Sequence, residues 1–445
     1  MNIPLNILQV STKDIAGGAE GSAWNLFNAY RERGLDSWLA VGTKYSSDQD
    51  VFAIQNEEQR PGWIRFCRKV QGLGQGSSIY PLTQILGRLA WLREPWRLVE
   101  RYLGIDDFHY PGTRQLLVMP PVRPDIVHCH NLHGNYFDLR LLPWLSRQAP
   151  VIVNLRDAWL LSGHCAHSLG CDHWKTGCGN CPNLSTYPAV AVDSTAYNWR
   201  RKRDIYSKSH LYVTTVSKWL MDQVDSSMLK GAKCRVIPNA IDLQVFCPGD
   251  RAAARDALKL SLNAKIVLLI AHSTFKDLET MEAALALLKK HDNEDLVFIC
   301  LGETGESRPL GQGNIRYLGV ERDPRRMALY YQAADLYIHG AKAEAFGKTI
   351  TEALACGTPV VATAIGGIPE QIEDGITGFL VRPLDAGHMG EVAQRVLADD
   401  ALRRRVGQAA ILHARQKYNL TRQVDEFLDW YAAVREDWLK WKSNE

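Results

Sequence analysis

Residues 343–381 read AEAFGKTITEALACGTPVVATAIGGIPEQIEDGITGFLV. A helical pattern over 347–356 stands between the apolar runs DLYIHG (335–340) and TPVVATA (358–364), and GFLV (378–381) closes the stretch. Short apolar runs without polar alternation are the mark of parallel strands buried on both faces. The stretch therefore reads as part of a doubly wound α/β layer. Its polar residues fall where such a layer binds ligands. Glu344 lies in the loop after the first strand, and Phe346, Gly347 and Lys348 open the helix. Unpaired N–H groups and the helix dipole make that helix start an anion site, and Gly347 lets a phosphate approach the backbone. Glu352 follows Glu344 after seven intervening residues, within two helical turns and in reach of a ribose. Glu344, at the mouth, is placed to hold sugar hydroxyls. The spacing of the two glutamates, taken alone, equally fits a pair of surface charges.

The same alternation extends over most of the chain. Strand candidates are LNILQV (5–10), SWLAVG (37–42), DIVHCH (125–130), VIVNL (151–155) and LYVTTV (211–216) in the first half, then KIVLLIA (265–271) and DLVFICLG (295–302) ahead of the opening stretch. Helical patterns cover 19–33, opened by Gly17-Gly18, and 277–290, 324–333 and 386–416. Two α/β units are expected, joined near PNAIDLQVFCPGD (238–250), where Pro238, Pro248 and Gly249 suit a linker. DEFLDWYAAVREDWLKWK (425–442) reads as a terminal amphipathic helix. His128, His130 and His133, with Asn131, fall at the end of strand 125–130, where open α/β sheets bind ligands. A buried structural role is the other reading of these histidines.

The 445 residues suffice for two or three domains at about 150 residues each. A net charge of +3 gives no global pointer to nucleic acid. MNIPLNILQVS lacks the basic and apolar regions of a signal peptide, and no apolar run reaches the ~18 residues of a membrane span, so a cytoplasmic location is expected. Segment 60–112 interleaves Arg65, Arg68, Lys69, Arg88, Arg93, Arg97 and Arg101 with Trp63, Phe66, Trp91 and Trp96. It reads as a solvated helical subdomain, with contact to an anionic membrane surface, at its inner face, as the alternative. TAYNWRRKRDIY (195–206) places Arg200, Arg201, Lys202 and Arg203 together, either as a solvated helix face or as a partner for phosphate.

Ten cysteines in a chain this long do not make a disulfide scaffold. Cys129, Cys300 and Cys356 sit in apolar or helical patterns and read as packing residues. Cys165, Cys171, Cys178 and Cys181 cluster in GHCAHSLGCDHWKTGCGNC (163–181). Four thiolates in so short a loop suit a structural zinc site; disulfides and unpaired thiols are the alternatives.

The 343–381 segment resembles the donor-binding signature of the retaining GT-B glycosyltransferases of family 4. The resemblance rests on the two glutamates, the intervening FG, ALACGTPVVAT, the GGIPE turn and DGITGFLV. The first half is similar to a bacterial exopolysaccharide branch of that family that includes colanic-acid-type transferases. There the match is carried by GGAE (17–20), FHYPGT (108–113), DIVHCHNLHGNYFDLRLLPWLS (125–146), GHCAHSLGCDHWKTGCGNCP (163–182) and IPNAID (237–242). The resemblance implies two Rossmann-like domains facing a cleft. Residues 1–245, with 420–445 crossing back, would form the acceptor domain, carrying the helical insertion 60–112 and the cysteine-rich loop 163–182. Residues 250–419 would hold a UDP- or GDP-sugar. The sugar would pass with retention to a saccharide or lipid-linked acceptor in polysaccharide or glycolipid assembly. Neither NAD nor a flavin is implied, and no metal is expected in the chemistry.

By the same resemblance Glu344 contacts the donor sugar, Glu352 the ribose, and the main chain of Phe346 and Gly347 the diphosphate or sugar. Lys276, in HSTFKDLET, matches the phosphate-binding lysine, where a cation steadies the leaving diphosphate. Gly17, Gly18, Lys348 and Gly302 complete the donor set. Three positions depart from the family pattern. No arginine precedes Lys276 in IAHSTFK (270–276), so that lysine acts alone or with Lys348 or His272. Arg156-Asp157 replaces the usual His-Asp, and arginine stays charged, so Arg156 contacts the diphosphate or a neighbour such as His133 or His164 serves the acceptor side. Ala240 stands where the family has glycine. The missing residues keep two alternatives open, a non-catalytic sugar-nucleotide-binding scaffold and an epimerase of the same fold.

Overall fold

The computed structural model describes residues 5–15, 17–58, 95–289 and 295–445. Most of the 60–112 insertion therefore lies outside the described residues, including its aromatic and basic residues before Pro95. The chain forms two compact units, one of Met1–Thr215, Met221–Arg235 and Leu428–Glu445, the other of Val216–Leu220 and Val236–Phe427.

The first unit is built on β1 (Asn6–Lys13), β2 (Asp36–Thr43), β3 (Val51–Ala53), β4 (Ile126–His130), β5 (Val151–Leu155), β6 (Leu211–Thr215) and β7 (Lys233–Val236). Their order across the sheet is β3-β2-β1-β4-β5-β6-β7. The pairings from β3 through β6 are parallel. Every residue of β4, β5 and β6 is buried, as their unbroken apolar character requires. Chain order turns at β1, with β2 on one side and β4 on the other. The loops following β1 and β4 therefore flank the crevice where such sheets take ligands.

The second unit repeats the plan with β8 (Lys265–Ile270), β9 (Leu296–Leu301), β10 (Arg308–Leu310), β11 (Gly313–Leu318), β12 (Leu336–His339), β13 (Val360–Thr363) and β14 (Phe379–Val381). Their order is β10-β11-β9-β8-β12-β13-β14, and β10 alone runs antiparallel to its neighbour. Alternate residues of β8 enter different cores: Leu268 and Ile270 pack on one face, Val267 and Leu269 on the other. Here the order turns at β8, which places the crevice between β8 and β12.

The sequence reading missed β3, β7, β10 and β11. These lie toward the sheet edges and are short or partly exposed, so no continuous apolar run marks them. The single helix expected over 386–416 is two, Ala386–Ala398 and Asp400–Lys417. Asp399 breaks them, accepting the Leu402 N–H and capping the second helix. Cys129, Cys300 and Cys356 are buried packing residues as expected.

The terminal helix, Leu420–Asn444, supplies Tyr431 to the first unit. Its hydroxyl lies 2.7 Å from His128 Nδ1 and 3.0 Å from the Tyr30 hydroxyl, all buried. His128 is thus a structural residue. In the basic run 200–203, Arg200 and Arg203 are exposed, as on a solvated face, whereas Arg201 and Lys202 are not. Lys202 is fully buried, Arg201 stacks on Phe108 with 4.2 Å to the ring centroid, and Arg203 lies over Trp199. Arg97, counted above with the basic surface, is buried against Asp107.

Candidate functional site

The loops that leave β8 and β12 are laced together because the two strands are parallel neighbours. The Asp277 N–H donates to the Gly340 carbonyl at 3.1 Å and the Lys342 N–H to the Phe275 carbonyl at 2.8 Å. That pairing brings Lys276 to Glu344, with 2.8 Å between Nζ and Oε2. The ammonium also donates to His339 Nε2 at 2.9 Å, at the carboxyl end of β12. Burial pushes the His339 imidazole down to about 4, with the Lys276 charge acting in the same direction, so it is neutral near pH 7 and accepts. Its Nδ1 faces the Tyr337 hydroxyl at 2.8 Å, which in turn donates to Thr349. Burial alone would raise the Glu344 carboxyl. The Lys276 ammonium, by its charge and its hydrogen bond, outweighs it and holds the group well below the usual carboxylate range.

The Glu344 loop is braced from beneath by the GGIPE turn. A Cβ on Gly366, at φ +60°, would lie 1.9 Å from the Glu344 carbonyl oxygen, so only glycine fits there. The Gly367 N–H donates to that same oxygen at 2.9 Å. Glu370, the acid of the turn, accepts the Lys218 and Trp219 amides at 2.8 and 2.7 Å and caps the helix Lys218–Asp225. The conspicuous acid of this turn thus has a structural task.

Beside Glu344 begins the helix Lys348–Cys356, buried from Ile350 to its end. The Lys348 amide turns back to Phe346, while the amides of Gly347 and Thr349 have no protein acceptor among the described residues. An anion there would meet two N–H groups, the helix dipole and Lys276. Glu352 is 7% exposed, accepts from the Tyr331 hydroxyl at 3.1 Å and lies 3.8 Å from Lys348. Burial raises its carboxyl against the opposing Lys348 charge. Gly302, at φ +98°, ends β9 against the backbone of His272. The structure thus gathers Lys276, Glu344, Gly347, Lys348 and Glu352 at one sheet end, and adds His339, which the sequence signalled only as a histidine closing an apolar run.

In the first unit, Gly17 (φ +91°) caps the helix Gly18–Glu32, and the Glu20 carboxylate folds back over it. Asn131, at φ +40°, turns the chain out of β4. His133 and Asp157, from the loops after neighbouring β4 and β5, pair at 2.8 Å. Arg156, in the position of the family histidine, does not approach as a base. It donates to His130 Nδ1 at 3.2 Å, and His130 Nε2 donates to Gln9 at 2.9 Å. Burial draws the guanidinium down to about 10, with Glu20 opposing, so it remains a cation. Glu20, which entered the sequence reading only as part of GGAE, also acts on His133. His164 lies within the cysteine-rich loop. It is 2% exposed, between the Pro188 carbonyl and Cys181.

Residues 16–245 match the family described as Glycosyltransferase Family 4, and residues 250–413 match Glycosyl transferases group 1. The chain belongs to this glycosyltransferase family and is a glycosyltransferase. The D-inositol 3-phosphate glycosyltransferase of Mycobacterium leprae is 34% identical over 328 residues, 70% of this chain and 72% of the relative. The putative colanic acid biosynthesis glycosyl transferase WcaC of Escherichia coli is 24% identical over 371 residues, 81% of this chain and 83% of its own length. Among solved structures, sucrose-phosphate synthase from Thermosynechococcus elongatus has TM-score 0.62 at 18% identity, over 96% of this chain and 99% of that one. Anabaena HepE, solved in complex with UDP-glucose, has TM-score 0.60 at 19% identity, over 96% and 100%. These likenesses establish the GT-B fold.

The His133–Asp157 pair carries a pH signature. Burial opposes the Asp157 charge, but His133 outweighs it and lowers the carboxyl; burial likewise opposes the His133 charge, and Asp157 outweighs it and raises the imidazole. The pair stabilises the fold above the ordinary carboxylate range, and its contribution is lost as pH rises through the raised His133 pKa. Asp157→Asn, which keeps an acceptor for the Trp159 N–H, is expected to lower stability by about 1.5–3 kcal/mol near about pH 6. The deficit should shrink toward about pH 9. Thermal unfolding across that range checks it; a constant or growing deficit would show that the pair is not ionised.

Proposed function

We propose that the chain is a retaining transferase that moves a sugar from a UDP- or GDP-sugar to a saccharide or lipid-linked acceptor in polysaccharide or glycolipid assembly. The observation that carries this reading is the convergence of Lys276, Glu344 and the start of helix Lys348–Cys356 at the β8/β12 crevice. That site offers a cation and open amides to a diphosphate and a carboxylate to sugar hydroxyls. Glu352 is the ribose partner. HepE, of the same fold, was solved with UDP-glucose, and WcaC is named for colanic acid biosynthesis, which support the donor and pathway classes.

In this reading the anomeric C–O bond of the donor breaks and its electron pair passes to the diphosphate, steadied by Lys276 and the helix amides. The acceptor hydroxyl bonds to the anomeric carbon on the same face, and its proton passes to the departing phosphate oxygen. Glu344, held ionised by Lys276, accepts hydrogen bonds from the sugar. His133, its proton retained by Asp157, serves the acceptor side as a donor, with Asn131 beside it; Arg156 supplies fixed positive charge. No metal enters the chemistry.

Product formation from a panel of labelled UDP- and GDP-sugars tests the assignment. Glu344→Gln and Lys276→Ala should each lower kcat by about 10²–10³-fold. Unchanged turnover in both variants would refute the site, and donor binding without consumption would show a scaffold in place of an enzyme.

We also place the chain at an anionic membrane surface. The helix Pro95–Tyr102 exposes Trp96, Leu98, Val99 and Tyr102, an apolar face suited to a bilayer interface. No helix among the described residues is long and apolar enough to cross a membrane. Co-sedimentation with anionic liposomes at low salt is expected and should weaken in Trp96→Ser/Val99→Ser; no sedimentation of the wild type contradicts the contact.

A further inference from the structure

The cysteine-rich loop takes no part in the transfer chemistry above. Cys165, Cys171, Cys178 and Cys181 nevertheless line one cavity of about 350 Å³, together with His164 and Trp174. All four are free thiols. Gly179 (φ +130°) and Asn180 (φ +47°) form a tight turn that returns Cys181 toward Cys178, and the first of these conformations needs glycine.

The geometry around His164 is that of a metal ligand with its supporting partner. Nδ1 lies 3.1 Å from the Pro188 carbonyl oxygen. A carbonyl only accepts, so Nδ1 carries the proton and Nε2 of the neutral ring presents a lone pair. That lone pair faces Cys181 Sγ at 3.3 Å. Two ligands of one tetrahedral zinc, with Zn–N near ~2.0 Å and Zn–S near ~2.3 Å, lie about 3.5 Å apart. A ligating histidine ordinarily donates its other N–H to such an acceptor. The Gly163 N–H donates to Cys178 Sγ at 3.2 Å, and Asp193 holds the Cys181 N–H at 2.7 Å. Beneath the loop, the buried Lys202 ammonium is fixed by the carbonyls of Trp159 and Ser162 at 2.9 and 3.0 Å. Asp106 pairs with it at 3.1 Å, so this lysine braces the backbone under the loop.

We propose that this loop holds one structural zinc ion, bound tetrahedrally by four of the five donors Cys165, Cys171, Cys178, Cys181 and His164. Among the described residues, the trio whose ligand atoms already lie within 4.8 Å of one another is Glu100, Asp107 and His109. There Asp107 is engaged by Arg97 and Tyr110, which makes that trio part of an ion-pair network. The cysteine set is softer and richer in donors, and metal loading draws its side chains together. The loop is tied to the acceptor-side pair. The Ala158 N–H, next to Asp157, donates to the Ala166 carbonyl at 2.7 Å, and the Ala166 N–H to the Tyr187 carbonyl at 2.8 Å. The Tyr187 ring meets His133 edge-on at 6.3 Å between centroids. The ion is a staple that positions His133 and Asp157, and its presence does not depend on the donor assigned above.

The test is elemental analysis of the full chain purified without chelators. About one zinc per chain is expected, released on titration of the thiols with an organomercurial, and X-ray absorption should show a first shell dominated by sulfur at about 2.3 Å. Cys178→Ser and Cys181→Ser should lower the zinc content at least about tenfold. Should those variants fail to fold, the absorption spectrum of the wild type decides. Zinc below about a tenth of an equivalent, a first shell without sulfur, or recovery of the four cysteines as disulfides would each overturn the proposal.

Discussion

The contact on which the proposed donor site rests is the ion pair between Lys276 and Glu344. It exists because β8 and β12 are parallel neighbours whose following loops share backbone hydrogen bonds. Lys276 is 6% and Glu344 21% exposed in their side chains, so the charges are largely withdrawn from water. A buried pair of this kind gives little net stability, yet losing one partner strands the other at a cost of about 3–5 kcal/mol. Its retention makes sense as preorganisation: the cation is already aimed when an anion arrives. The Gly366 turn fixes the Glu344 backbone, and neutral His339 steadies the ammonium without competing as a charge.

In the first unit Arg156 stands where the family resemblance leads one to expect a histidine. Arg156 is committed to His130, and through it to Gln9, so it acts as fixed charge. The ionisable pair in this unit is His133, after β4, with Asp157, after β5. A donor imidazolium fits a transfer in which the leaving phosphate takes the acceptor proton. No general base is then demanded of the protein, which removes the objection that the missing histidine would raise.

Much of this was legible in the sequence, and the limits have physical causes. Central strands such as VIVNL announce themselves because both faces are covered; GNIRYL, next to the sheet edge and partly exposed, does not. The motif residues around Glu344 could be read locally, but the Lys276 contact spans 68 positions and depends on strand order. His133 and Asp157 likewise meet only because β4 and β5 adjoin. Lys202 was misjudged because a run of four basic residues on a helix fans around its axis. At about 100° per residue one of them must face the core. Glu370 and Glu20 were legible only as members of the GGIPE and GGAE motifs; their tasks, a helix cap for the first and a charge acting on Arg156 and His133 for the second, depend on the fold.

The central claim is that the diphosphate of a nucleotide sugar seats at the β8/β12 crevice of the second unit. A structure of the chain with a nucleoside diphosphate bound tests it most directly. The account predicts phosphate oxygens within hydrogen-bonding distance of Lys276 Nζ and of the Gly347 or Thr349 amide, with the ribose on Glu352. A nucleotide seated elsewhere, with Lys276 still engaged only by Glu344 and His339, would contradict it.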